Sequence, residues 1–437
     1  MNFKRFISRK FLLWYHKLTA IISVIVYGLP TNRMKVIGVT GTNGKTTTVN
    51  LIKAVLVKAG KKTGMISTVN YRIRNREWLN ISKITTLGRL QLRKLLKQML
   101  RAGCEYVVIE VSSHAIVQHR VWAINFDTCI LTNLTHDHLD YHKDMEEYKK
   151  TKGQLFSDMI ASRRKKRIPK TSILNTDSRS FDFFNGFKAD KNYYYGLSPK
   201  AKIKAEDIKL SPSGTTLKAI TPKGNISLNL KLVGEFNVYN TLAAIAFGLS
   251  ENIPLKTIKS ALEKFEGVPG RMEKIQEGQN FTVIVDYAHT PDAFFKIFKN
   301  LKRMTNKRIV SVFGATGERD TLKRSLLGEI AAQFSSYTFL TLEDPAWEDP
   351  IEIMNEIEEG LIKARKKLNI DYFKIVDRRE AIRRALSCAR PGDIVLLLAK
   401  GHEMVMVQEG KKIPWDDRQV AREELRRLLR LKKHAKR

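Results

Sequence analysis

Seven consecutive residues, Gly41-Thr42-Asn43-Gly44-Lys45-Thr46-Thr47, have the composition of a phosphate cradle. Glycines let a backbone curl until its N–H groups converge on an anion, and a helix starting at Lys45 would add the positive end of its dipole. Lys45 would then neutralise the outer phosphates of a nucleotide, and the Thr46 hydroxyl would reach a Mg2+ ion. The pattern departs from G-x-x-x-x-G-K-[ST], because position 39 holds Val39 instead of glycine. Glu110 closes a run of apolar residues, and a carboxylate there could hold the same ion through oxygen. His136, Asp137, His138, Asp140 and His142 form a dense group of imidazoles and carboxylates, which by spacing alone could hold zinc. Lys152, taken by itself, reads as a surface lysine in a basic stretch.

These residues need elements to position them. Residues 36–40 read as a strand, 45–59 as a helix, and 106–111 and 128–131 as continuous apolar strands. Strands of that kind are buried on both faces, which predicts a parallel sheet covered by helices. Residues 202–232 alternate apolar and polar around a turn at 211–214, as a small antiparallel meander does. Gly267-Val268-Pro269-Gly270 is a strong break, and the domain boundary is placed there. Beyond it the rhythm restarts, with strands expected at 282–285, 308–313, 338–341 and 394–398 and a helix over 350–368. The expected fold class is α/β, with a first segment 1–34, a central P-loop ATPase-type domain 35–269 and a Rossmann-like C-terminal domain 270–437.

The form T-G-T-N-G-K-T resembles the phosphate loop of the Mur ligase family, which also includes folylpolyglutamate synthases. Four further stretches follow in the family's order: Glu110-Val111-Ser112-Ser113-His114, residues 132–142, Asp286-Tyr287-Ala288-His289-Thr290-Pro291-Asp292, and Lys400-Gly401-His402-Glu403. The resemblance covers about nine tenths of the chain. It implies an ATP-dependent ligase that joins a free amino acid to the carboxylate of a UDP-N-acetylmuramoyl-dipeptide-like substrate through an acyl phosphate, in cell-wall synthesis. It implies ATP contacts from Gly41, Thr42, Asn43, Gly44, Lys45, Thr46, Thr47, Asn237, Asn240, Arg271, Asp286 and Tyr287. It makes Thr46, Glu110, His138 and a carbamylated Lys152 ligands of Mg2+, with Lys45, His138 and Lys152 catalytic. Thr85, Thr86, Ser112, Gln118 and Arg120 would bind the muramoyl-dipeptide part, and Arg319, Asp344, Pro345 and Glu403 the incoming amino acid. Family members that use meso-diaminopimelate carry Asp-Asn-Pro-Arg where this chain has Glu343-Asp344-Pro345-Ala346. Without that arginine the distal carboxylate loses a charge-assisted partner, so lysine is the expected substrate unless Arg319 or Arg378 supplies the charge.

Composition narrows the alternatives. Lys+Arg 78 against Asp+Glu 44 gives +34, spread along the chain. No RNA- or DNA-binding motif accompanies it, so nucleic acid is not an expected partner, and the charge suits anionic substrates or membranes. Cys104, Cys129 and Cys388 are widely spaced, as core residues in a reducing cytoplasm are. Basic residues Lys4, Arg5, Arg9 and Lys10 precede an apolar stretch over 11–29 that Lys17 interrupts. That stretch is neither a spanning helix nor a cleaved signal. It is a helix packed on the first domain or one lying against an anionic membrane at the inner face, with Pro30 ending it. About 35 residues precede the first strand, fewer than a domain of ordinary size, so the family's usual N-terminal domain for the UDP-sugar is expected to be missing. A ligase acting on a folylpolyglutamate or another envelope peptide, and a non-catalytic membrane or nucleic-acid binder, remain as alternatives.

Overall fold

The computed structural model describes residues 9–82, 84–135, 144–318 and 320–434. They form two compact units. The first comprises 1–209, 215–231 and 235–266, and the second 210–214, 232–234 and 267–437.

The first unit is built on the strands β1 (Lys35–Thr40), β2 (Thr63–Ile66), β3 (Asn70–Ile73), β4 (Arg76–Leu79), β5 (Tyr106–Glu110), β6 (Thr128–Leu131), β7 (Thr171–Asn175), β8 (Lys191–Gly196), β9 (Ile203–Ser211), β10 (Gly214–Thr221) and β11 (Gly224–Leu230). They make one sheet in the order β11-β10-β9-β8-β7-β6-β1-β5-β2-β3-β4. From β9 to β2 every neighbouring pair of strands is parallel. Every residue of β2, β5, β6 and β7 except Tyr106 is buried, as expected of strands covered on both faces. The meander expected over 202–232 is not a separate piece. It continues the main sheet through a parallel β8–β9 pair, and β10–β11 is the antiparallel part. At the other edge β3 and β4 form an antiparallel hairpin that the sequence pattern did not suggest.

The helices of this unit are α1 (Arg9–Tyr27), α2 (Lys45–Lys58), α3 (Arg89–Arg101), α4 (Ser113–Val117), α5 (Met145–Ala161), α6 (Phe181–Asn185), α7 (Glu235–Ser250) and α8 (Leu255–Glu263). Helix α1 ends at Tyr27, and Pro30 opens a short 3-10 turn beyond it instead of ending it. Helix α5 is capped by Asp144, whose side chain accepts from the Glu147 N–H, and Glu146 and Glu147 suit the positive end of its dipole. Its buried face carries Tyr148, Lys152, Leu155, Phe156 and Met159, at the three- and four-residue spacing of an amphipathic helix.

The second unit holds β12 (Glu273–Ile275), β13 (Thr282–Val285), β14 (Ile309–Phe313), β15 (Tyr337–Leu340), β16 (Tyr372–Lys374) and β17 (Ile394–Leu397), in the order β12-β13-β17-β14-β15-β16. All neighbours are parallel except β12 with β13. Helices α9 (Pro291–Met304), α10 (Leu322–Phe334), α11 (Pro350–Lys363), α12 (Arg378–Cys388) and α13 (Asp417–His434) connect and cover them, and β18 (Val405–Gln408) and β19 (Lys411–Pro414) form a hairpin. Each unit has its own apolar core, one around Val107, Ile109 and Phe156, the other around Val283, Val312 and Leu397.

Candidate active site

The phosphate-loop residues sit where β1 ends and α2 begins, with β5 and β6 on either side of β1. The carboxyl ends of parallel strands are where open α/β sheets bind ligands. Gly44 has φ +82, and a Cβ there would stand 2.3 Å from Asn240 Oδ1, so only glycine fits. The loop is tied to the end of β6. Thr42 N–H donates to the Asn133 carbonyl at 2.9 Å, Asn43 N–H to Asn133 Oδ1 at 2.9 Å, and Thr132 Oγ1 to the Asn43 carbonyl at 2.7 Å. Thr47 follows in the first turn of α2.

Two ammonium groups converge on this loop. Lys45 Nζ donates to the Gly41 carbonyl at 3.0 Å and the Thr42 carbonyl at 2.6 Å. Lys152 Nζ donates to the same Gly41 carbonyl at 2.9 Å and lies 4.5 Å from the centre of the Tyr148 ring. Lys152 is 1% exposed, so the surface-lysine reading is wrong. Its register with Tyr148, Leu155 and Phe156 was the available signal for burial.

Thr46 and Glu110 also meet. Thr46 Oγ1 lies 3.0 Å from both carboxylate oxygens of Glu110, and Glu110 Oε2 accepts from the Thr68 N–H at 2.8 Å. Both side chains are buried. A hydroxyl and a carboxylate beside a phosphate cradle are hard oxygen donors, the kind that fit Mg2+. His138 and the rest of the histidine–aspartate cluster lie outside the described residues. Among the described residues no group of three His, Cys, Asp or Glu could hold a metal.

Asn237 and Asn240 lie on α7, both buried. Asn240 Nδ2 donates to Asn237 Oδ1, and Thr48 Oγ1 donates to Asn240 Oδ1. This pair is packed on the start of α2. Thr86, Ser112, Gln118 and Arg120 form one patch beyond the end of β5. Thr86 Oγ1 donates to the Glu110 carbonyl at 3.0 Å and lies 3.5 Å from Ser112 Oγ. Arg120 holds the Thr86 carbonyl at 2.6 Å and Gln118 Oε1 through two nitrogens. Thr85, beside Thr86, is half-buried. Arg89, which sequence reasoning missed, joins the patch through the Gln118 carbonyl.

In the second unit, Arg271 lies 4.6 Å over the Tyr287 ring, which also meets His289 and His402. Asp286 accepts from the Met272 and Ala288 N–H groups, both at 2.7 Å. Burial pushes its carboxyl above the usual range, against the pull of Arg271 and those two N–H groups. Both oxygens thus hold the backbone that carries Arg271 and Tyr287.

The stretch expected to receive the amino acid follows β15. Asp344 Oδ1 accepts from Lys400 Nζ at 2.8 Å and from the Val407 N–H at 2.8 Å, and Glu403 Oε2 accepts from Lys400 at 2.7 Å. Burial opposes the charge on Lys400, but Glu403, Asp344 and Glu343 together hold its pKa above the ordinary value. Asp344 and Glu403 therefore share one internal cation. Glu343 is buried and accepts from Thr316 Oγ1 at 3.0 Å. The Pro345 carbonyl faces Gly317, and Ala346 follows in a left-handed conformation, φ +55. Arg378 is not a spare cation. It is buried, paired with Asp417 through two nitrogens, and donates to the Leu342 and Leu398 carbonyls. Arg319 lies outside the described residues.

Residues 39–248 match the model of the Mur ligase middle domain, and residues 270–401 match that of the Mur ligase, glutamate ligase domain. The UDP-N-acetylmuramoyl-L-alanyl-D-glutamate--2,6-diaminopimelate ligase of Geobacillus kaustophilus is 42% identical over 403 residues, 92% of this chain and 81% of that one. The chain belongs to the Mur ligase family. Mur ligases are ATP-dependent carbon–nitrogen ligases, and the loop, Glu110, Lys152, Asn237 and Asn240 all fall in the middle-domain match. The UDP-N-acetylmuramyl-tripeptide synthetase of a Roseiflexus species is 40% identical over 415 residues, 93% of this chain and 81% of that one. A solved UDP-N-acetylmuramoyl-L-alanyl-D-glutamate--2,6-diaminopimelate ligase has a TM-score of 0.64 at 29% identity, covering 93% of this chain and 81% of that one. Mycobacterium tuberculosis folylpolyglutamate synthase has a TM-score of 0.69 at 16% identity over 87% of this chain and 92% of that one, a likeness of fold alone.

Proposed function

We propose that this Mur ligase adds one amino acid to the D-glutamyl carboxylate of UDP-N-acetylmuramoyl-L-alanyl-D-glutamate in peptidoglycan synthesis, in the cytoplasm. The observation that carries the reading is the convergence of Lys45, Lys152 and the Thr46–Glu110 pair on one phosphate loop. In the proposed reaction a carboxylate oxygen takes the γ-phosphoryl group of ATP as the bond to ADP breaks. The amine then attacks the acyl carbon, the C–N bond forms, phosphate leaves, and the amine sheds a proton. Little covalent work falls to the protein in such a transfer, so placement and charge dominate. Lys45 and the loop N–H groups hold the phosphates. Thr46, Glu110 and His138, with Lys152 as its carbamate, would hold Mg2+, which supplies charge neutralisation at the transferring phosphoryl group. Thr86, Ser112, Gln118 and Arg120 present the acceptor, and Asp286 holds the backbone of Arg271 and Tyr287, all three proposed as ATP contacts. The C-terminal unit is read as Rossmann-like and the central one as of P-loop ATPase type.

The amino acid is proposed to lack the distal carboxylate of meso-diaminopimelate, with lysine first. Ala346 offers that carboxylate no cation, and Arg378 is committed to Asp417. Asp344 is not counted as a partner for the lysine ammonium, because it already pairs with Lys400. The name of the Geobacillus relative supports diaminopimelate instead. The deciding assay is phosphate release from ATP with the UDP-muramoyl dipeptide and L-lysine, ornithine or meso-diaminopimelate in competition. No release with any of them overturns the ligase reading, and a preference for meso-diaminopimelate overturns the lysine assignment alone.

A further inference from the structure

Helix α1 is turned inside out. A surface helix ordinarily buries its apolar stripe and shows its polar side to water. Here Phe11, Trp14, Leu18, Ile22 and Ile25 follow one another at three- and four-residue steps, and they are 57%, 61%, 40%, 41% and 77% exposed. At 1.5 Å per residue this outward ridge runs about 21 Å along the helix. The opposite side faces α3 with small residues: Ala20 and Ser23 are each 1% exposed. Much of that seam is polar, since Arg93 of α3 donates to Ser23 Oγ at 3.1 Å and to the Gly28 carbonyl at 3.2 Å. Folding of the chain thus gains little from the largest side chains of α1.

We infer that this ridge is a binding face for an anionic lipid surface, on which α1 lies flat. Charge selects that partner over a protein of ordinary surface. Glu77 is the first acidic residue of the chain and the only one before Glu105. Helices α1 and α3 contain no carboxylate, and α3 contributes exposed Lys94 and Arg101 together with Lys97, whose ammonium lies 5.8 Å from the Tyr27 ring of α1. An apolar ridge in a segment that carries cations and no carboxylate is the pattern that buries into acyl chains while the basic side chains meet phosphate headgroups. Trp14, against Phe11 at 6.2 Å, is a residue type that favours the boundary between headgroup and chain. No described helix is long and apolar enough to cross a membrane, which leaves α1 in the plane of the interface.

The test mixes full-length protein with phosphatidylglycerol vesicles or phosphatidylcholine vesicles, and reads co-flotation and Trp14 fluorescence. Trp14→Phe identifies the Trp14 signal among the five tryptophans. Binding is expected to the anionic vesicles, to weaken with added salt, and to fall at least about tenfold in Ile25→Glu, because a carboxylate must then enter the interface. Ile25 is the most exposed residue of the ridge, so the variant should keep the parent's melting temperature and ATP turnover, and the vesicle result stands whatever the acceptor amino acid proves to be. Equal binding to both lipids, binding that Ile25→Glu leaves intact, or no binding overturns the proposal. Self-association that Ile25→Glu abolishes, without vesicle binding, assigns the face to a second copy and overturns it too.

Discussion

Burial explains why Lys152 could not be judged from residue type alone. A lysine with basic neighbours, Lys149 and Lys150, looks solvated, and only its helical register with Tyr148, Leu155 and Phe156 points inward. The loop-facing position of Lys45, by contrast, follows directly from the motif. Lys152→Ala is expected to lower kcat by about a hundredfold or more while leaving nucleotide binding measurable, and short carboxylic acids should restore part of the rate. Wild-type turnover in that variant would remove Lys152 from the proposed metal site. Glu343 provides a pH prediction. Burial raises its pKa first, Lys400 pulls it down, and Asp344 pushes it up again, with a net rise above 4.5. The folded chain therefore binds this proton more tightly than the unfolded chain. The stability it contributes is present at low pH and is lost as pH rises from 4.5 through the raised folded value. Glu343→Gln should flatten that decline, and melting curves between about pH 4 and 8 would measure it.

At the scale of elements, the buried strands were legible because strands covered on both faces are continuously apolar, as Val107, Val108 and Ile109 are. The β3–β4 hairpin was not. Its strands are four residues each and carry Arg72, Arg76 and Glu77, so no alternation stands out. The joining of β9 to β8 was illegible for another reason, since only two residue pairs make it, Tyr195 with Ile203 and Gly196 with Lys204. Helices α10 and α11 meet through Gly328 and Gly360. A Cβ on Gly360 would stand 2.0 Å from the Ser325 carbonyl oxygen and 2.5 Å from the Glu329 nitrogen. Those are backbone atoms that cannot swing aside. Gly360→Ala should therefore destabilise the second unit by about 1–3 kcal/mol, as overpacking does. A denaturant midpoint equal to the parent's would show that the two helices separate without cost.

For the molecule as a whole, the charge balance sets the response to salt. A net charge of +34 makes the compact state self-repelling, and counterions relieve that repulsion. Internal pairs such as Arg378–Asp417 and Lys400–Asp344 are buried and feel little screening. The melting temperature should then rise between about 0.05 and 0.5 M sodium chloride. A steady fall would mean that surface ion pairs outweigh the net repulsion.

The carbonyl of Gly41 carries two ammonium donors, and that sharing makes the order of addition matter. Carbamylation of Lys152 would replace a cation by an anion beside the cradle. A nucleotide phosphate arriving alone favours the cation and so opposes the exchange, whereas a divalent cation, if held there, would favour the carbamate and reverse the sign of the coupling. Protein first mixed with ATP in metal-free buffer should begin turnover with a lag once Mg2+ is added. Protein first mixed with Mg2+ and bicarbonate should begin at full rate, and identical progress curves from the two protocols would show that the charge on Lys152 is never exchanged.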